Sequence, residues 1–561
     1  GSLLAYAVQD GGSDWRVIRV LDVATGRTLA DEIRWAKFTG VEWHPDGRSF
    51  YYSRYPEPPE GQMYTALNYN HAVYRHRIGA PQGEDELAYA RPEHPRDSVG
   101  AEVSDDDRWL VITVSRGTDE RYEIVLLDLH ARDGRPRVLI PGFANDYQLV
   151  GQTAQGHFIF LTDRNAPRGR LVVIDPARPQ EENWRTLVAE GQDVLTGADR
   201  IGDQIVAEYL KDARSSVRRY NLQGRLLGEV ALPGLGSATG FAGSPRSPVT
   251  YYSFSSFNRP PTVYRLDTLN GESAVFRQPE LTFNPDDYAV EQVFYSSRDG
   301  ARVPMFIVRR RDVTPNGERP TLLYAYGGFN LAQLPSFQVQ RLQWLEMGGV
   351  FVLANIRGGS EYGKEWHDAG RLLNKQNVYD DFIAAGEALI ADGWTSAERL
   401  AVQGRSNGGL LVGAVINQRP DLFAAALPMV GVMDMLRYNQ FSAGRFWVDD
   451  YGDPAEAEHF HNLYAYSPYH NVRDGVRYPA TLITTADTDD RVVPGHSFKY
   501  AARMQAAQGG SFGPGDPPRL IRIATRSGHG SGRPTDQLID EAADMWAFIA
   551  LHTGLEIAAP N

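Results

Sequence analysis

One short element recurs six times in residues 1–282, and this repetition constrains the fold more than any other feature. A strand ends in an apolar–Asp or similar pair and runs into a polar turn: Val17-Ile-Arg-Val-Leu-Asp22, Val73-Tyr-Arg-His-Arg77, Ile124-Val-Leu-Leu-Asp128, Leu171-Val-Val-Ile-Asp175, Val217-Arg-Arg-Tyr-Asn221 and Val263-Tyr-Arg-Leu-Asp267. The copies lie about 45–55 residues apart, too far for single hairpins and right for the blades of a propeller. Between them, Asp-Gly type turns feed further strands, as in His44-Pro-Asp-Gly47. Helical periodicity is nearly absent. Radial stacking of four-stranded sheets buries many short strands and protects their edges, whereas a pair of β-sandwiches fits the even spacing poorly. The first copy begins abruptly at Gly1-Ser-Leu-Leu-Ala-Tyr-Ala-Val. A half-built blade leaves sheet edges unpaired, so the expectation is an incomplete or absent first blade and sequence lost upstream.

After Asn284-Pro-Asp-Asp287 the pattern changes. A hairpin over 290–308 is followed by buried-strand runs at 321–326, 350–354, 400–402, 424–427, 480–485 and 520–524, with helical patterns between them. Alternating strands and helices predict a mostly parallel sheet covered on both faces, residues 283–561. Its functional edge lies beyond the carboxyl ends of the strands.

Composition narrows the chemistry. There is no cysteine, which removes thiol nucleophiles, disulfides and thiolate metal sites, and no H-E-x-x-H suggests a metal. No cofactor is implied. The net charge of −13, without a basic cluster, disfavours nucleic acid and anionic membrane as partners, and no apolar run reaches the ~18 residues of a membrane span. The compartment stays open between cytoplasm and periplasm.

Within the α/β half, Leu400-Ala-Val-Gln-Gly404-Arg-Ser406-Asn-Gly408-Gly409 reads as strand, sharp turn and helix. A serine there is held in a strained backbone with its hydroxyl exposed, and the first N–H groups of the helix can face an oxyanion. Its hydroxyl needs a base and a group to orient that base. Downstream, Asp487, Asp489 and Asp490 follow one strand, and His529 follows the last strand in Gly528-His529-Gly530. His459, His461, His470 and His496 lack a preceding strand or lie in a predicted helix, which leaves His529 as the base. Position alone does not separate the three carboxylates; one is expected to cap the helix after Pro494 or to hold the loop. The Gly327-Gly328 pair lacks the lysine and spacing of a phosphate loop and marks close backbone approach.

These residues resemble the prolyl oligopeptidase family, serine peptidases that join an α/β-hydrolase domain to a β-propeller. The matching motifs are Tyr326-Gly-Gly-Phe329-Asn330, Ala354-Asn-Ile-Arg357-Gly-Gly-Ser-Glu361-Tyr-Gly363, Asn374-Lys-Gln-Asn377, Gly404-Arg-Ser406-Asn407-Gly-Gly, Asp489-Asp-Arg491-Val-Val-Pro494 and Gly528-His529-Gly. The resemblance implies Ser406 as nucleophile, His529 as base and Asp489 as orienting acid, with Tyr326 and the Asn407 N–H forming the oxyanion hole. Trp447 would stack on a substrate proline, with Phe329, Val432, Tyr451, Val492 and Val493 around it, and Arg491 would bind a substrate carbonyl. An apolar aromatic slot suits a flat, uncharged ring that carries no N–H. The family has seven blades where six repeats are visible here. The implied activity is hydrolysis of short peptides on the carboxyl side of proline through an acyl-enzyme, by a monomer whose propeller excludes large substrates. The alternatives are a peptidase selecting arginine or lysine, which needs acidic residues in the pocket, and an esterase on the same hydrolase fold; an inert hydrolase beside a binding propeller conflicts with the intact Ser406, Asp489 and His529.

Overall fold

The computed structural model describes residues 1–131, 134–508, 515–530 and 532–556. Six sets of antiparallel strands make up the first half. Four are separate four-stranded sheets, spanning Asp97–Ile140, Tyr147–Val188, Val194–Glu229 and Ser237–Arg277. Two more, Leu3–Ala36 with three strands and Glu42–Tyr89 with four, join through the single pairing of Ala36 with Arg54. In each four-stranded blade the recurrent sequence element is the third strand. Its position next to last explains the alternation: one face packs on a neighbouring blade and the other on the next. Ile124 and Leu126, for example, pack with Phe158 and Phe160 of the following blade, while Val125 packs with Tyr51 and Val73 of the preceding one.

The second half is organised by one eight-stranded sheet, in spatial order Tyr288–Ser296, Arg302–Arg310, Val350–Ala354, Thr321–Tyr324, Leu400–Arg405, Ala425–Met429, Ala480–Ala486 and Arg519–Ala524. The first two strands are antiparallel to their neighbours, and from Val350–Ala354 onward all pairs are parallel. Successive side chains point to opposite faces, which sorts the core in two. Leu323, Val352, Val402 and Ile483 pack with Val378 and Phe382 of helix Gln376–Ala391 and Leu411 of helix Asn407–Gln418. Leu322, Phe351, Ala401 and Leu482 pack on the opposite face with Trp344, Trp546 and Ile549.

The propeller rests on the carboxyl-end edge of this sheet. Thr118 N–H donates to the Phe446 carbonyl at 2.9 Å and Lys364 N–H to the Pro167 carbonyl at 2.9 Å. Lys37 and Asp490, both almost wholly buried, pair across the interface at 2.8 Å. Among the described residues no helix is long and apolar enough to cross a membrane.

Candidate active site

Ser406 sits between strand Leu400–Arg405 and helix Asn407–Gln418 with φ 59° and ψ −117°, a conformation costly for a residue with a side chain. The surrounding glycines are steric requirements. A Cβ on Gly404 would lie 2.1 Å from the Gly408 carbonyl oxygen, and one on Gly408 2.8 Å from that of Ala325. The turn is fixed by the Ser406 N–H donating to the Met429 carbonyl at 2.9 Å. The helix begins at Asn407, so its first N–H groups lie beside the serine.

His529 and Asp489 meet at 2.7 Å, Nδ1 to Oδ2. The other carboxylate oxygen of Asp489 accepts from the N–H groups of Arg491 (3.0 Å) and Val492 (2.8 Å), which fixes the acid within its own turn. The three aspartates left unseparated by sequence have distinct partners. Asp490 is bound to Lys37 and to the Asp14 N–H, so it joins the two halves of the chain. Asp487 accepts from the Ser527 N–H at 3.3 Å and holds the histidine loop. None of them caps helix Gly495–Ala507, which has no side-chain cap. Burial depresses His496 to about 4 and leaves it a neutral core residue inside that helix.

The histidine loop is pinned from two sides. Arg405 donates to the His529 carbonyl at 2.7 Å. From the propeller, the Gly11 and Gly12 carbonyls accept from the N–H groups of Gly528 (2.5 Å) and Gly530 (2.8 Å). Gly12 has φ 83°, and a Cβ there would lie 3.0 Å from the Gly530 carbonyl oxygen. No hydrogen bond joins Ser406 to His529 among the described residues; such contacts commonly tighten only with substrate in place.

Tyr326 places its hydroxyl against the Ser406 side chain. Burial, reinforced by the negative charge of Asp450, pushes this phenol above its ordinary value and keeps it a donor at physiological pH. Asn407 ties the turn to its surroundings, donating to the Tyr326 carbonyl at 2.6 Å and accepting from the Tyr451 hydroxyl at 3.0 Å.

A cavity of about 870 Å³ opens in front of Ser406, between the two halves of the chain. Phe329, Val432, Trp447 and Tyr451 line it. The Phe329 ring stands edge-on to Tyr451 at 5.3 Å and to Trp447 at 6.5 Å. Val492 and Val493 do not line it. Asp489 holds the Val492 N–H and closes the turn, and the Val492 side chain packs in the apolar core with Val432 and Trp447. Arg491 lines the cavity, but its Nε donates to Asp14 at 3.0 Å and its Nη2 also bonds that carboxylate. Burial opposes the guanidinium charge, yet Asp14 more than compensates and holds Arg491 above its ordinary value.

Sequence reasoning missed one buried cluster. Asp450 accepts from the Phe329 N–H (2.9 Å) and pairs with His367 (3.0 Å) and Lys375 (3.1 Å), and Lys375 also donates to the Gly327 carbonyl (3.1 Å). This cluster fixes the backbone of Tyr326-Gly-Gly-Phe329 from beneath. Its only signal was its position inside two motifs, Asn374-Lys-Gln-Asn377 and the Asp-Asp step before Tyr451. Among the described residues no group of three or more His, Asp or Glu side chains is arranged to hold a metal.

Comparison with known proteins agrees with this layout. Residues 1–279 match the model of the prolyl oligopeptidase N-terminal beta-propeller domain, and residues 335–556 match that of the prolyl oligopeptidase family. The prolyl endopeptidase of Elizabethkingia meningoseptica is 43% identical over 561 residues, covering 99% of this chain and 78% of that protein. A solved structure from a study of two prolyl endopeptidases superposes with a TM-score of 0.93 at 38% identity, covering 99% of this chain and 81% of that one. Prolyl oligopeptidase B from Galerina marginata, bound to a 25-residue macrocyclization substrate, gives 0.92 at 33% identity, covering 100% and 80%. With both halves matched in order and relatives aligned along almost the whole chain, the protein belongs to the prolyl oligopeptidase family.

Proposed function

We propose that the protein is a serine endopeptidase that hydrolyses short peptides on the carboxyl side of proline. The observation that carries this reading is an apolar slot of Phe329, Val432, Trp447 and Tyr451 opening beside Ser406, in a chain that also holds a buried His529–Asp489 pair. Ser406 Oγ attacks the proline carbonyl while His529 Nε2 accepts its proton; Asp489 keeps Nδ1 protonated and steadies the resulting imidazolium. The Tyr326 hydroxyl and the Asn407 N–H receive the oxyanion. Collapse expels the amine, which takes the proton from His529, and water releases the acyl group by the same route. A propeller over residues 1–282, covering a hydrolase domain over 283–561, limits the substrate to chains slim enough to enter the cavity.

Asp450 argues against a pocket for arginine or lysine. It is the carboxylate beneath the slot, already paired with Lys375 and hydrogen-bonded to His367. The test compares Gly-Pro and Gly-Arg chromogenic substrates on the wild type and on Ser406→Ala. Cleavage confined to the proline substrate, and abolished in the variant, is expected. Preference for arginine, or activity that survives the substitution, sinks the reading.

A further inference from the structure

The proline slot leaves unexplained what selects the residues beside the proline. The opposite wall of the cavity belongs to the propeller and is acidic. Among the cavity's lining residues, the acids are Glu102 and Glu120, and the bases are Arg491 and His71. Arg491 is paired with Asp14, and burial depresses His71 to about 4, which leaves it neutral. The wall therefore carries carboxyls without an available cation.

Glu120 is the better placed of the two. It lies on strand Asp119–Asp128 and accepts from Asn330 Nδ2 of the facing hydrolase half. Asn330 follows Phe329, whose ring forms one side of the proline slot. Consecutive Cα atoms are about 3.8 Å apart, so a residue next to a seated proline is brought toward the Asn330–Glu120 contact. The bases of the surrounding elements are engaged elsewhere: Lys364 with Asp368, Arg121 with Asp119 and Asp449. No described cation forms an ion pair with Glu120.

Resting on the peptidase reading above, we propose that Glu120 is a specificity-determining residue that engages a basic side chain on a substrate residue flanking the proline. A lysine there brings an ammonium to a carboxyl that lacks one, and the Asn330 bond holds that carboxyl beside the residue that follows Phe329.

The electrostatics give the proposal a pH signature. Burial raises Glu120 to about 8; Asn330 and Lys364 oppose the rise, and Asp146 and Asp449 add to it, with Tyr122 on the same strand also facing the group. The anion is thus the form present above about 8. Binding a cation favours that form and expels a proton, so selection for lysine strengthens as pH rises, while lysine itself stays charged (ordinary value about 10.4).

The experiment uses quenched-fluorescence peptides that differ only in carrying lysine or norleucine immediately before or immediately after the proline. kcat/KM is measured from pH 6 to 9 for the wild type and Glu120→Gln, an isostere that still accepts from Asn330. At one of the two positions the wild type should prefer lysine by on the order of tenfold at pH 9, the range of a charged hydrogen bond, and less at pH 6. Glu120→Gln should lose the preference while cleaving the norleucine peptides nearly as well as the wild type. No lysine preference at either position, one that does not grow with pH, or one that Glu120→Gln retains, overturns the proposal. Even if the variant folds poorly, a wild-type preference that is absent or does not grow with pH overturns the proposal. Failure to cleave the norleucine peptides after proline would instead refute the peptidase reading.

Discussion

Replacing Asp450 with asparagine tests whether the buried cluster supports the catalytic loop. Asp450 and Lys375 have side chains only 2% and 1% exposed. Burial works against the carboxylate, yet Lys375 and His367 hold it at about 2 against an ordinary 3.8. That displacement favours the ionised form by about 2 kcal/mol. Asparagine keeps an acceptor for the Phe329 N–H but leaves Lys375 a buried cation without a counter-charge, and breaking such a pair from one side costs about 3–5 kcal/mol. For a domain of this size the melting temperature should fall by roughly 10 °C. Calorimetry measures that fall, and kcat should drop with it as Tyr326-Gly-Gly-Phe329 loosens. Adding Lys375→Met removes the orphaned charge and should restore part of the stability. The acid limb gives an independent check. A depressed carboxyl contributes stability that is present above about 3.8 and is lost as pH falls through about 2. Asp450→Asn should flatten the pH dependence of stability in that window. A variant melting within about 2 °C of the wild type, with unchanged kcat, would refute the reasoning.

Three other substitutions probe the site. Tyr326→Phe removes a hydroxyl aimed at the developing oxyanion and should lower kcat by about 10²–10³ with little change in KM; steady-state kinetics on a Gly-Pro substrate checks this. Asp489→Asn should cost about 10⁴ in kcat, because the imidazole loses the acceptor that fixes its tautomer, and circular dichroism should show the fold retained. Gly12→Ala forces a side chain onto a left-handed backbone against the Gly530 carbonyl. Displacement of His529 by about 1 Å should lower kcat by up to about 100-fold, measured beside a fluorophosphonate labelling rate that falls in parallel.

How much was legible in the sequence depended on the range of the interaction. The blade repeat and the Ser406 elbow are written in local pattern: strand periodicity, Asp-Gly turns, and glycines that a Cβ would exclude. The six sets of antiparallel strands followed from the spacing of the repeat. Assigning Asp487, Asp489 and Asp490 did not, because their partners lie far away in the chain. Asp490 is distinguished by Lys37, 453 positions upstream, and Asp489 by a histidine 40 positions downstream. Arg491 illustrates the same limit, since its bond to Asp14 exists only once the propeller sits on the hydrolase sheet. Val492 follows a local constraint: the Asp489 turn that aligns the acid also turns Val492 into the core, against Val432 and Trp447. Asp450, Lys375 and His367 come from separate segments, and nothing in any one of them marks a buried ionic cluster.

In the proposed reaction Ser406 carries the acyl group of a proline substrate. Acid-quenching the enzyme during turnover of a Gly-Pro nitrophenyl ester, followed by peptide mass spectrometry, tests it most directly. The peptide containing Ser406 should gain the mass of the Gly-Pro acyl group, and Ser406→Ala should show neither the adduct nor turnover. Sustained turnover with Ser406 unmodified, or an adduct on another residue that survives Ser406→Ala, would contradict it.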